Sequence, residues 1–257
     1  MVLCVGAQYS GKTTFLARLG EMFRNGSFSS YQFAGSLTLC AFERASWLAT
    51  FTSGVPQPDT QRTSRKENDT FYHLRVHPKD KINDQLDLLI SDLAGETFPT
   101  AVASREYCAN ISALSRADHL VAFLDGAMLV DRSRRHPELN NTREFLQQVR
   151  SVKHQITDLR VQVVFSRWDF ITSSQERSLH EKFCEEIESD FRRRFADSFG
   201  ALDFVRIAAR PNDGSKPTND KIQWLFAQWL NPPVHQTQSP AVRIRQPLRD
   251  FSAFGLK

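Results

Sequence analysis

The sequence predicts an α/β fold: a mostly parallel six-stranded sheet with helices on both faces. A short apolar run, Val2-Leu3-Cys4-Val5, passes straight into a glycine-containing loop at 6–13 and then into a helix-forming run. Further apolar runs recur at 86–90, 120–124, 161–165 and 204–208, with helix-period segments between most of them. Strands that stay apolar along their length and alternate with helices belong in a parallel sheet buried on both faces.

Taken in order, strand 2–6, loop 6–13 and helix 13–24 form the first unit, and Asn25-Gly26-Ser27 supplies helix-stop residues. A second helical pattern runs over 36–51, where Leu37, Cys40, Phe42, Trp47, Leu48 and Phe51 give an apolar surface. Gly54, Pro56 and Pro58 break it, and the polar stretch to Thr70 has no period, so it reads as a loop. Phe71–Val76 alternates and predicts an antiparallel edge strand, joined through a turn at 78–84 to strand 86–90. Helical patterns follow within 100–115 and at 139–156, 175–197 and 220–230. The domain reading is therefore one body over 1–230, with an enlarged segment at 25–70. A proline-containing arm covers 231–257, where Pro232, Pro233, Pro240 and Pro247 interrupt any long helix.

Composition narrows the function classes. The 257 residues are enough for one full core. Lys and Arg number 33 against 29 acidic residues, and a net charge of +4 carries no specific nucleic-acid signal. No apolar run approaches the roughly 18 to 20 residues that span a bilayer, and the N-terminus shows no signal-peptide pattern. Cys4, Cys40, Cys108 and Cys184 lie far apart without a C-x-x-C pair, which fits free thiols in a reducing, cytoplasmic setting. The seven histidines have no metal-binding spacing, and there is no G-x-S-x-G nucleophile turn.

Gly6-Ala7-Gln8-Tyr9-Ser10-Gly11-Lys12-Thr13 matches G-x-x-x-x-G-K-[ST] at every fixed position and sits between strand and helix. Gly6, Ser10, Gly11, Lys12, Thr13 and Thr14 are its candidate phosphate-binding residues. The glycines let backbone N–H groups approach phosphate, and Lys12 reaches the β/γ oxygens. Thr13 offers a hydroxyl to Mg²⁺. A second feature, Asp92-Leu93-Ala94-Gly95, closes strand 86–90. Asp92 is the candidate carboxylate for Mg²⁺, direct or through water, and Gly95 would present its N–H to the γ-phosphate.

Strand 161–165 ends in Ser166-Arg167-Trp168-Asp169, which resembles the Asn-Lys-x-Asp motif of GTPases with Ser and Arg in the first two positions. Asp169 would accept from the guanine imino and amino groups, a pattern adenine lacks, and the Arg167 stem would lie over the purine face. The competing reading makes Asp169 a helix cap. Ala208-Ala209-Arg210 then stands where GTPases carry a short base loop, with Ala209 as the contact residue. In this order the features make the chain similar to a translation-factor/Ras-like P-loop GTPase over about 1–230. Gly35-Ser36-Leu37-Thr38-Leu39, Phe42-Glu43-Arg44 and Asp92-Leu93-Ala94-Gly95-Glu96 carry a narrower likeness, to the bacterial double-GTPase family.

That resemblance implies a GTP-binding switch that uses Mg²⁺ and a protein partner, either another GTPase or a second copy. A threonine from the loop before the second strand would complete the metal site. Thr60 matches best, with Thr63 and Thr70 as competitors. Glu96 stands where many Ras-like enzymes have Gln; it would accept from water but cannot donate, and it would repel phosphate. It reads equally as a helix-start residue. The assigned catalytic set is Lys12, Gly95 and Glu96. An ATP-binding P-loop ATPase and a non-hydrolysing nucleotide-binding module remain open beside slow or partner-stimulated GTP hydrolysis. Tyr9 and Trp168 would shield the nucleotide, or Trp168 would seal the core.

Overall fold

The computed structural model describes residues 1–26, 28, 30–39, 70–153 and 156–230. The predicted arm 231–257, most of the predicted helix 36–51 and the loop up to residue 69 lie outside them, Thr60 and Thr63 included. The strands are β1 (Val2–Val5), β2 (Tyr31–Gly35), β3 (Thr70–Pro78), β4 (Leu86–Asp92), β5 (His119–Asp125), β6 (Arg160–Ser166) and β7 (Ala201–Arg206). The helices are α1 (Lys12–Arg24), α2 (Phe98–Ala103), α3 (Arg105–Ala109), α4 (Ser112–Arg116), α5 (Gly126–Val130), α6 (Arg135–Val152), α7 (Asp169–Thr172), α8 (Arg177–Phe195) and α9 (Asn219–Leu230).

Among the described residues the sheet has seven strands rather than six, in the order β2-β3-β4-β1-β5-β6-β7. The strand that the sequence did not predict is β2, a five-residue edge strand with three exposed central positions. It pairs antiparallel with β3 on one side only and carries a register shift between Phe33 and Gly35. With so little burial it has no period-2 signal to read. β3 and β4 are antiparallel, as expected, but β3 is not the edge strand that the sequence predicts, because β2 pairs along its outer side. β4, β1, β5, β6 and β7 run parallel.

Alternation along each central strand divides the interior into two layers. Leu3 and Val5, Leu120, Ala122 and Leu124, and Val161, Val163 and Phe165 face the layer built with α2 to α8. Val2 and Cys4, Val121 and Phe123, and Val164 face α1 and α9. β3 and β4 send Tyr72, Leu74, Val76, Leu88 and Ile90 to the α1/α9 layer, while Phe71 and Leu89 on the other face stay exposed. This is why that hairpin alternates and the parallel strands do not.

Several boundaries differ from expectation for local reasons. The segment within 100–115 is three short helices, because Ser104 turns extended and accepts a hydrogen bond from the Tyr107 N–H to start α3. Ser36 to Thr38 are not helical: the Leu37 N–H donates to His73 Nδ1 at 2.9 Å, and the Ser36 hydroxyl donates to the His73 carbonyl at 2.6 Å. His73 Nε2 therefore carries the proton and meets Asp87 at 2.8 Å. The last strand starts and ends earlier than 204–208, leaving Ile207 and Ala208 to begin a loop.

Helix α9 closes its layer with aromatic contacts. The Phe226 ring lies 5.0 Å from both Phe23 and Phe28 and 6.1 Å from Trp229. Phe226→Ala should lower unfolding free energy by about 3–5 kcal/mol, the usual cost of deleting a buried ring. Urea titration checks this, and a loss below about 1 kcal/mol would mean α9 does not cover the core.

Candidate nucleotide-binding site

The loop between β1 and α1 is shaped by contacts that exclude larger residues. Gly6 has φ 150, and a β-carbon there would lie 2.9 Å from both the Phe123 carbonyl and Ser10 Oγ. Gly11 has φ 86 and caps α1 without any side-chain hydrogen bond, so the first N–H groups of the helix are left for a ligand. Tyr9, with φ 66, is largely exposed at the loop tip.

Lys12 is 6% exposed and folds back on its own loop. Its ammonium donates to the Gly6 carbonyl at 2.9 Å, the Ala7 carbonyl at 3.0 Å and Ser10 Oγ at 3.4 Å. Burial pulls its pKa down, and the Asp92 carboxylate opposes that shift. Thr14 is half-buried one residue beyond Thr13 on the first turn of α1.

The Thr13 hydroxyl donates to Asp92 Oδ2 at 3.2 Å, which brings together two of the three predicted metal residues. Asp92 is buried at the end of β4, and its Oδ1 has no hydrogen-bond partner. Burial raises its pKa, opposed first by Lys12 and then by Thr13. A buried carboxylate oxygen without a donor, next to a hydroxyl, is the chemistry a divalent cation satisfies. No group of three or more His, Cys, Asp or Glu among the described residues forms a metal cluster. A Mg²⁺ here would draw its remaining ligands from phosphate and water. The third candidate, Thr60, is outside the described residues; its competitor Thr70 opens β3 opposite Asp92 in register.

Gly95 presses against the phosphate loop: a β-carbon would sit 2.6 Å from Gln8 Cα and 2.7 Å from Gln8 N. Only glycine fits this approach. Glu96 is half-buried and precedes Thr97, the N-cap of α2, whose first turn holds no acidic residue. Glu96 lies in the turn after Gly95, one residue before the N-cap rather than inside the first turn of α2.

The base-side motif is joined to the same loop. Ser166 Oγ lies 2.6 Å from the Ser10 carbonyl and 3.0 Å from that of Leu124, one proton within reach of both. Arg167 has φ 48 and turns its guanidinium to Asp125 at 3.0 Å and over the Phe170 ring at 4.4 Å. Asp169 is buried, and its Oδ2 accepts from the Asn212 N–H at 3.0 Å. That bond crosses to another loop, and Asp169 stands in the first turn of α7, one residue after the N-cap Trp168, so it is not the N-cap itself. Burial raises the Asp169 pKa against that N–H. Ala209 packs beside the α1/α9 layer, and the Ala208 N–H donates to Thr218 Oγ1 at 2.9 Å. Trp168 packs on the α2–α8 core and under the Arg206 guanidinium, so it seals the interior.

Sequence reasoning missed Asp125, Glu138 and Asn212. Asp125 ends β5, caps α5 by accepting from the Ala127 N–H at 2.9 Å, and receives Arg167. Glu138, on α6, accepts from the Asp125 N–H at 3.1 Å. Asp125-Gly126 at the close of an apolar run was the signal available for the first of these.

The Double-GTPase 2 family matches residues 1–230. The chain belongs to the Double-GTPase 2 family. It is thus a GTPase-fold protein of the GTP-binding switch class. Among solved structures, the signal recognition particle receptor SRb-GTP/SRX complex from Chaetomium thermophilum is similar at 16% identity and TM-score 0.50, covering 87% of this chain and 96% of that one. That likeness shows the fold, a mixed α/β sheet of the Ras-like P-loop kind. A structure of sup35 complexed with GDP matches at 16% identity and TM-score 0.39, over 91% of this chain and 42% of that one. No curated protein matches the sequence.

Burial pushes the Glu138 carboxyl up to about 7 from 4.5. The folded state then holds a proton that the unfolded state has already released between those values. This group's stability contribution is therefore lost as pH rises from about 4.5 to about 7, and the loss levels off above that. Glu138→Gln keeps an acceptor for Asp125 and cannot ionise. It should add about 1–3 kcal/mol at pH 8 and little at pH 4.5. Urea unfolding at both pH values measures this, and an identical difference at each would contradict it.

Proposed function

We propose that this member of the family is a Mg²⁺-dependent GTP switch with slow or partner-stimulated hydrolysis. The observation that carries the reading is the Thr13–Asp92 contact beside the unpartnered Asp92 Oδ1 at the mouth of an uncapped helix. Bound Mg²⁺ would supply positive charge to the β- and γ-phosphate oxygens, held by Thr13, Asp92 and one loop threonine, Thr60 or Thr63. Lys12 would exchange its loop carbonyls for phosphate oxygens, and the N–H groups around Gly6, Ser10, Gly11, Thr13 and Thr14 would complete the cradle.

Gly95 would meet the γ-phosphate because its loop already touches Gln8. Loss of that phosphate would release the Gly95 and threonine contacts together and change the surface offered to a protein partner. The partner is another GTPase or a second copy of the chain. Glu96, one residue on, would orient the attacking water as an acceptor; its negative charge beside the phosphates favours slow intrinsic turnover. Asp169 would read guanine with the carboxylate oxygen not used by Asn212, while Arg167 and Ala209 flank the base. Among the described residues no helix is long and apolar enough to cross a membrane. Cys4, Cys108 and Cys184 are free and buried, which favours a reducing, cytoplasmic setting.

Asp169→Asn tests the base assignment while keeping an acceptor for Asn212. It should weaken Mg-GTP binding by roughly 10- to 100-fold, the loss expected for a charged hydrogen bond, and leave ATP affinity unchanged. Equal losses for both nucleotides would overturn guanine reading. Lys12→Ala should abolish binding of either, and unchanged Mg-GTP affinity by calorimetry would reject its phosphate role.

A further inference from the structure

Arg167 is built into its place more firmly than a side chain on a binding loop needs to be. Its backbone takes a left-handed conformation, which a residue with a β-carbon adopts against steric resistance. The neighbouring strand end leaves room for that turn only because residue 126 is glycine: a β-carbon there would meet the Ser166 carbonyl at 2.6 Å and the Arg167 carbonyl at 2.7 Å. From the same junction the Asp125 carboxylate, 2% exposed as a side chain, takes the Arg167 guanidinium at 3.0 Å from one oxygen and 3.3 Å from the other. Asp125 is itself fixed, since its carboxylate accepts from the Ala127 N–H and its own N–H donates to Glu138. Phe170 covers the guanidinium face.

With both ends of the side chain held, the methylenes between them have little freedom left. They lie beside the phosphate loop, where Arg167 Cγ is 3.9 Å from the point a β-carbon on Gly11 would occupy. An apolar, pre-set strip at that position suits a flat ring, and a side chain already ordered loses less entropy when a ligand packs on it. We propose that Asp125 is a positioning residue for purine binding: by anchoring the Arg167 guanidinium it holds the Arg167 stem as the platform under the base. The inference rests on the base-site reading above and adds the residue that sets the platform. Nothing in it involves the phosphates. Asp125 therefore acts on nucleosides and not on inorganic polyphosphate.

The test measures Mg-GTP and Mg-tripolyphosphate affinity by calorimetry on the full chain, for wild type, Asp125→Asn, Arg167→Ala and the double variant. Asn keeps an acceptor for the Ala127 N–H and removes the charge that anchors Arg167. Asp125→Asn should lose about tenfold in GTP affinity and less than twofold in tripolyphosphate affinity. The double variant should bind GTP no worse than Arg167→Ala alone, because the two residues form one device. Should the buried substitution prevent folding, Arg167→Ala at a partly exposed side chain carries the test, with the same selective loss of GTP. Wild-type-like GTP binding by Asp125→Asn, equal loss of both ligands, or multiplied losses in the double variant would overturn the inference. Wild type that binds tripolyphosphate as tightly as GTP would instead overturn the base site itself.

Discussion

The phosphate loop is held in shape by strand ends other than its own, and the rest of the site depends on that constraint. Gly6 lies against the Phe123 carbonyl of β5, Gln8 against Gly95 beyond β4, and the Ser10 carbonyl under the Ser166 hydroxyl of β6. Each approach is too close for an added side chain or uses a hydrogen bond that crosses the sheet. The parallel order β4-β1-β5-β6 is what brings these ends to one edge. Ligands of open α/β sheets bind at the carboxyl ends of strands for this geometric reason.

Charge is concentrated at the same edge at a desolvation cost. Lys12, Asp92, Asp125, Glu138 and Asp169 are all buried, and burial is the leading cause of each pKa shift among them. Arg167 and backbone N–H groups offset part of that for Asp125 and Asp169. Lys12 satisfies its three protons on loop oxygens, and Asp92 is left with one oxygen unserved. A ligand bringing anionic oxygens for Lys12 and a cation for Asp92 would relieve both at once, so in the proposed function phosphate and metal would bind as a single event.

Much of the framework was legible in the sequence because it is written locally. The glycine loop, Asp92 with Gly95, and the strands before Asp125 and Ser166 each announce themselves within about ten residues of chain. The edge strand Tyr31–Gly35 was not, since among the described residues it pairs with β3 alone and its side chains bury little. Nor was the partner of Asp169, because Asn212 lies 43 positions away and donates through its backbone, which no residue type reveals. Asp125 and Arg167 are 42 positions apart, and only folding of the parallel sheet makes them neighbours. Glu96 gave two readings of equal weight from sequence, and its place between Gly95 and the N-cap Thr97 puts it beside both the phosphate loop and the start of α2.

The proposed nucleotide site has a direct thermodynamic consequence, since phosphates and a cation bound there together would neutralise the buried charges of Lys12 and Asp92. The decisive measurement is equilibrium competition of GTP and ATP for the wild-type chain, with Mg²⁺ and with Mg²⁺ chelated. GTP should displace ATP, and chelation should weaken GTP binding at least tenfold. Affinity that ignores magnesium, or ATP bound in preference to GTP, would contradict the account.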